Sequence, residues 1–336
     1  MRYVILAVIL AVLGAGGAVG LKLWEFASVP PETPGVEKLF VIDQGESFES
    51  VAKRLTAEGL ASDALLLRAM AKYAKLGDKI RAGEFALNTG WTPMRLLKEL
   101  TTSSGVQHKL SVPEGLTVRQ IARIVQDSGF GTAESFEKAA QDPKLLQKYE
   151  IPAKSAEGFL FPETYMFTRR KGDDAAYVAE AMLKEFKKRV TEAFDGAPPS
   201  GKELFDAVTL ASIVEEETGV PAERPAVAGV FLNRLKAGML LQTDPTIIYG
   251  LGEAYDGNLK RSHLEDPKNP YNTYIHPGLP PGPICSPGYA SLRAVAHPES
   301  HDLYYFVATG EGGHVFSKSL REHVNNVNKY QRKGRK

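Results

Sequence analysis

Val208-Thr-Leu-Ala-Ser-Ile-Val-Glu-Glu-Glu-Thr218 runs from Val208 to Val214 without a charge and then sets three glutamates in a row. The spacing predicts a helix over about Lys202 to Thr218. At 100° per residue, Leu210, Ile213, Val214 and Glu217 fall within about 100° of arc, and Val208, Ala211 and Ser212 line the opposite side. A helix apolar on both sides is a buried one, so a mainly helical core is expected around this segment. Glu217 prolongs the apolar stripe by one turn, at the end of the helix where the peptide dipoles leave negative partial charge. Burial, that dipole and the neighbouring Glu215 and Glu216 all favour a protonated carboxyl. A carboxyl that holds its proton near neutral pH is a candidate general acid. The bland alternative is a run of solvated glutamates at a fraying end, and helical phase alone does not choose Glu217 over Glu215.

The flanking sequence gives the surroundings of that helix. Ala197-Pro-Pro-Ser-Gly201 breaks the preceding pattern, in which Phe136 to Tyr149 and Ala175 to Phe194 have helical period. Pro225 to Lys236 reads as a further helix. Leu303 to Ala308, the turn Thr309-Gly-Glu-Gly-Gly313 and His314-Val-Phe316 read as a β-hairpin. The fold class expected is α+β, with a mainly helical catalytic core in a region spanning 106–330.

Upstream, Phe40-Val-Ile-Asp-Gln-Gly-Glu-Ser-Phe-Glu-Ser-Val-Ala-Lys-Arg-Leu55 aligns with Leu110-Ser-Val-Pro-Glu-Gly-Leu-Thr-Val-Arg-Gln-Ile-Ala-Arg-Ile-Val125. Gly45 matches Gly115 and Ser47 matches Thr117, so each copy predicts a strand, a glycine turn and a capped helix. Leu65 to Leu76 reads as another helix, Ala82 to Leu87 as a short strand and Thr92 to Leu100 as a helix with proline in its first turn. Residues 38–105 resemble the LysM module, a βααβ unit that contacts N-acetylglucosamine-containing glycans. A structural spacer is the alternative, since no aromatic cluster marks a sugar platform.

The N-terminus bears on the compartment. Tyr3 to Leu21 carries no charge, with Arg2 before it and Lys22 and Trp24 after it. Such a run spans about 28 Å as a helix, close to the hydrocarbon thickness of a bilayer. An uncleaved anchor over 1–24 is expected, with Lys22 and Trp24 as an interfacial stop. A cleaved signal peptide is the competing reading, for which Leu13 to Gly20 supplies small residues. Either reading exports the body of the chain. The proline-rich segment within 25–37 is a spacer, and 331–336 is a basic tail. A net charge of +1 excludes a global field for nucleic acid, and the single cysteine, Cys285, excludes an intrachain disulfide.

Several long motifs occur in order: Glu157-Gly-Phe-Leu-Phe-Pro-Glu-Thr-Tyr165, Ala211 to Thr218, Val230-Phe-Leu-Asn-Arg-Leu235, Leu241-Gln-Thr-Asp-Pro-Thr-Ile-Ile-Tyr-Gly250, Tyr271-Asn-Thr-Tyr274, Gly278-Leu-Pro-Pro-Gly282 and Gly312-Gly-His-Val-Phe316. In these the chain resembles the membrane-anchored endolytic murein transglycosylases. The resemblance implies that Glu217, the second Glu of Glu-x-Glu-Thr, is the catalytic acid. It further implies cleavage of the MurNAc–GlcNAc bond within peptidoglycan strands, leaving 1,6-anhydromuramyl ends, with no cofactor and no metal. Its setting would be the bacterial inner membrane, with a periplasmic catalytic domain that ends strand growth beside peptidoglycan synthases. A lone carboxyl suits this chemistry, because a hydrolase normally needs two, whereas here the muramyl C6 hydroxyl attacks.

Thr218, Gln242, Thr243, Tyr271 and Asn272 are the candidate substrate-binding residues. Gln242 and Thr243 are suited to hydrogen-bonding the sugar, to holding the Glu217 carboxyl in place or to a turn, and Tyr271 and Asn272 to stacking in a loop. Asp244 either caps a helix starting near Pro245 or is a second carboxylate, which would reopen hydrolysis. Asn233 and Arg234 fit packing as readily as substrate contact, and Glu163 fits a place near the cleft less well than a structural hydrogen bond. His297-Pro-Glu-Ser-His301 has its Glu misplaced and a proline that breaks the helix a zinc motif needs. No Gly-x-Ser-x-Gly elbow is present. The rivals are a non-catalytic peptidoglycan-binding scaffold and a hydrolytic muramidase.

Overall fold

The computed structural model describes residues 20–170, 172 and 174–332. The expected anchor lies largely outside these residues, as does most of the basic tail. Among the described residues no helix is long and apolar enough to cross a membrane. The chain forms two compact units, the first made of residues up to Lys109 together with Met166–Asp174, the second of Leu110–Tyr165 and Ala175 onward.

In the first unit, β1 (Glu37–Ile42) pairs antiparallel with β2 (Gly83–Asn88), Phe40 opposite Phe85. Between them lie α1 (Phe48–Ala57) and α2 (Ala64–Tyr73), and α3 (Pro93–Thr102) follows. Gly45, at φ +77°, makes the turn that a side chain would strain. The Ser47 hydroxyl then accepts the Ser50 N–H at 3.3 Å and caps α1. Phe40, Leu55, Phe85, Leu87 and Leu96 fill the core, joined by Phe26 from the helical residues 20–28.

The second copy of the repeat forms the same local structure. β3 (His108–Ser111) leads through Gly115, at φ +80°, to Thr117, whose capping box with Gln120 starts α4 (Val118–Asp127). The stretch expected to be one helix over Phe136 to Tyr149 is two, α5 (Ala133–Ala139) and α6 (Pro143–Lys148). The break has a local cause: Pro143 lacks an N–H, and the Asp142 side chain takes the Lys144 N–H at 3.0 Å to begin a new helix. β4 (Thr164–Phe167) pairs with β3. α7 (Ala175–Ala193), α8 (Gly201–Glu217), α9 (Arg224–Lys236), α10 (Asp244–Leu251), α11 (Arg261–Leu264) and α12 (Tyr289–Ala296) follow. The hairpin of β5 (Tyr305–Ala308) and β6 (His314–Ser317) comes next, then α13 (Leu320–Val327).

α8 is buried on both sides, as its composition requires. Leu210, Ile213 and Val214 pack with Val227, Ala228 and Phe231 of α9 and with Ala294 of α12. On the other side Ser212 is fully buried and its hydroxyl is satisfied twice. It donates to the Thr209 carbonyl at 2.7 Å and accepts the Ile284 N–H at 3.0 Å. The buried Cys285 thiol donates to the Ser212 carbonyl at 3.4 Å. The helix stops because Thr218 turns extended, at φ −143° and ψ 123°.

Candidate active site

The end of α8 delivers its three glutamates to different surroundings. Glu215, with a side chain 6% exposed, pairs with Arg224 at 2.8 Å, and its second oxygen accepts the Gly288 N–H at 2.9 Å. Burial raises the pKa of Glu216, beside Cys285. Glu217 alone of the three lines a cavity of about 490 Å3, within the ~300–1,000 Å3 of small-ligand sites. A turn of 100° per residue separates side chains that are adjacent in sequence.

The Thr243 hydroxyl donates to Glu217 Oε1 in a short hydrogen bond. Burial is the largest influence on the Glu217 carboxyl and raises its pKa; the Asp244 charge adds to this, while Thr243, His314 and Arg234 pull the other way. Glu215 and Glu216 are not among the causes, which corrects the expectation that they would be. The upward direction stands, and it comes from desolvation.

Thr243 is fixed in turn. Its N–H donates to the Thr273 hydroxyl at 3.1 Å, and it is the N-cap of α10. Asp244 is therefore the first residue of that helix rather than its cap. It lines the cavity and accepts the Tyr274 hydroxyl at 2.7 Å. Gln242 also lines the cavity and has φ +52°, a conformation that non-glycine residues avoid unless the surroundings impose it. The Gln242 N–H donates to the Thr273 carbonyl at 3.1 Å.

Arg234, on α9 and 8% exposed, staples the site together. Its Nε donates to the Tyr304 carbonyl at 2.7 Å and a terminal nitrogen donates to the Leu241 carbonyl at 2.6 Å. The guanidinium also lies 5.3 Å from the Tyr305 ring centroid. Tyr305 stacks on His323 of α13 at 5.3 Å, and both line the cavity with Phe231 and Phe306. His314, another wall residue, meets Glu223 at 2.7 Å. Asn233 spends its amide on the His301 and Leu303 carbonyls at 2.9 and 3.1 Å, so it holds the approach to the hairpin.

The remaining candidates stand apart from the cavity wall. Thr218 is 2% exposed, and its hydroxyl accepts the Val220 N–H at 3.0 Å and donates to Glu223. Asn272 is fully buried, and its amide donates to the carbonyls of His263, Leu264 and Asp266. That role staples the loop and leaves no donor for a sugar. Tyr271 packs its ring against Tyr249 with centroids 4.8 Å apart. Glu163 pairs with Arg189 at 3.2 Å, a structural contact. The sequence reading missed Tyr274, Tyr305 and His323 as wall residues; the aromatic content of Tyr271-Asn-Thr-Tyr274 and of strand β5 was the available signal.

Comparison with known proteins adds to this geometry. Residues 40–329 match the model of the YceG-like family. A curated endolytic murein transglycosylase of Bacillus subtilis is 32% identical over 304 residues, which cover 86% of this chain and 83% of that protein. One of Streptococcus pneumoniae is 29% identical over 356 residues, covering 95% of this chain and 64% of that protein. The crystal structure of a yceG-like protein from Listeria monocytogenes superposes with a TM-score of 0.55 at 31% identity, covering 86% of this chain and 99% of that one.

Proposed function

Since the chain belongs to the YceG-like family, we propose that it cleaves peptidoglycan strands internally, with Glu217 as general acid and then general base. The enzyme is a lytic transglycosylase, the class of its curated relatives. The observation that carries the assignment to Glu217 is its place on the cavity wall, where burial raises the pKa of the carboxyl and the Thr243 hydroxyl fixes its direction.

The protonated Glu217 gives its proton to the oxygen between MurNAc and GlcNAc as the C1–O bond breaks. Positive charge develops at the muramyl C1. The C6 hydroxyl of the same sugar then bonds to C1, and the Glu217 carboxylate takes the hydroxyl proton. No water is consumed, and the product ends in 1,6-anhydroMurNAc. Gln242, Tyr274 and Tyr305 on the wall supply polar and aromatic contacts for the sugars, and Thr243 acts through Glu217. Residues 106–330 form the catalytic domain on this reading. Residues 38–105 present glycan as a LysM-like module, for which the β1-α1-α2-β2 order is the support. The apolar run Tyr3 to Leu21 holds the chain in the inner membrane with its body in the periplasm. There, beside peptidoglycan synthases, internal cleavage ends strand elongation.

One observation favours a second reading. Asp244 lines the same cavity, and a second carboxylate is what a hydrolytic muramidase requires. Mass spectrometry of digested glycan strands separates the two. Anhydromuramyl ends are expected; ends heavier by one water, with reducing muramic acid, would establish hydrolysis. Glu217→Gln should abolish either product while the protein remains folded. Unchanged cell-wall function with this variant would mark a scaffold.

A further inference from the structure

Glu157 carries a buried carboxyl that this mechanism does not use. It lies on the loop between α6 and β4, which packs closely at the next residue. Gly158 has φ +83°, and a Cβ there would sit 2.4 Å from Pro283 and 3.0 Å from Val208 of α8. Both Glu157 oxygens are engaged. Oε1 accepts the N–H of Val118, the first residue of α4, at 3.0 Å, and Oε2 accepts the Tyr249 hydroxyl of α10 at 3.1 Å. The N-cap of α10 is Thr243, whose hydroxyl is on Glu217.

We propose that Glu157 is a positioning residue for the Glu217 site: its carboxylate ties the start of α4 to α10 and so fixes the Thr243 hydroxyl against Glu217. The inference rests on Glu217 being the acid. A carboxylate accepts both donors at once. A protonated carboxyl has to place its own proton, and this either faces the Val118 N–H or turns the Tyr249 hydroxyl from donor into acceptor. The clamp is strongest in the ionised form, in which both donors meet a charged acceptor.

Burial pushes Glu157 up to about 7, against the pull of the Val118, Tyr249 and Gly158 bonds. The titratable groups facing it are Tyr249 on α10, Tyr271 on the loop after α11 and Cys285 on the loop before α12. Burial raises the pKa of all three, so Glu157 is the member of this cluster that changes charge near neutrality. The clamp fastens as pH rises through about 7. Because its folded-state pKa is raised, the contribution of Glu157 to stability is fully present below the unfolded pKa of about 4.3 and is lost as pH rises from there through about 7.

The test compares full-length wild type, Glu157→Gln and Tyr249→Phe in detergent, following kcat and KM for anhydromuramyl release from purified glycan strands between pH 5 and 9. Glu157→Gln is expected to keep KM, to lose about tenfold in kcat and to lose the rise in kcat near pH 7. It should melt with the wild type near pH 4 and above it at pH 8. Tyr249→Phe removes the tie to α10 altogether, so it should likewise lower kcat and lose the rise. An unchanged kcat profile in Glu157→Gln, or a lowered kcat that keeps the rise, overturns the proposal. Failure of the Glu217 assignment is read separately, as an active Glu217→Gln enzyme.

Discussion

Thr243 and Glu217 are joined by a hydrogen bond between the residue that caps the start of α10 and the residue that ends α8. Two helix termini meet there, which gives a short, stiff connection between the proposed acid and the segment Gln242-Thr243-Asp244 on the cavity wall. The hydroxyl donates to the carboxyl, so it favours the ionised form and opposes the desolvation that favours the proton. A group that must both release and recover a proton benefits from that opposition.

Thr243→Val keeps the shape of the side chain and removes the donor. The Glu217 pKa should rise further, and the alkaline limb of the pH–rate profile should move upward with it. Loss of one hydrogen bond to a carboxyl, about 1.5 kcal/mol, corresponds to roughly tenfold in kcat at the optimum. Anhydromuramyl release measured across pH 5–9 checks both effects.

Much of this was legible in the chain because α8 is uniform. Period and composition were enough to place Glu217 on the apolar stripe. They were not enough to separate the surroundings of Glu215 and Glu216 from those of Glu217, since these depend on Arg224, Gly288 and Cys285 arriving from other elements. The same holds for the wall. Tyr305 and His323 come to the cavity through a hairpin and a helix; the aromatic content of β5 hints at the first, and no local pattern records the second. Asn272 misled for the opposite reason: a polar residue in a polar loop suggests a ligand contact, but its amide is consumed by three carbonyls of its own chain. The break before α6 was readable in Asp142-Pro143, where turn chemistry overrides an otherwise continuous helical period.

Glu217→Gln should stabilise the protein at high pH. The folded-state pKa of Glu217 lies above its unfolded value, so the contribution of this carboxyl is fully present below the unfolded pKa of about 4.3. That contribution is lost as pH rises through the folded pKa. The glutamine variant carries no such penalty. Calorimetric melting temperatures should coincide near pH 4 and separate at pH 8, the variant melting higher. Activity and stability then change in opposite directions at one residue.

Arg224 and Glu215 form a structural pair, and their loss should act on stability. Their side chains are 9% and 6% exposed, so Arg224→Ala leaves a buried carboxylate with only the Gly288 N–H. Breaking a buried pair from one side costs about 3–5 kcal/mol. The exposed pair Lys260–Asp256, at 52% and 54% exposure, should cost no more than about 1 kcal/mol when Lys260 is replaced by Ala. Urea denaturation of the two variants measures the contrast.

Tyr305 joins two features of the cavity, since its ring lies beneath the Arg234 guanidinium and stacks on His323. On the proposed function Tyr305 contacts a sugar from the cavity wall, and such a contact would exist before and after bond cleavage alike. Uniform binding of that kind appears in KM and leaves kcat nearly unchanged. Tyr305→Ala should therefore raise KM for glycan strands by roughly tenfold, which corresponds to about 1.4 kcal/mol. Tyr305→Phe should stay within about twofold of the wild type, because the ring and not the hydroxyl supplies the surface. Steady-state kinetics on strands of defined length decide between this and a role for Tyr305 in the chemical step, which would lower kcat in the alanine variant instead.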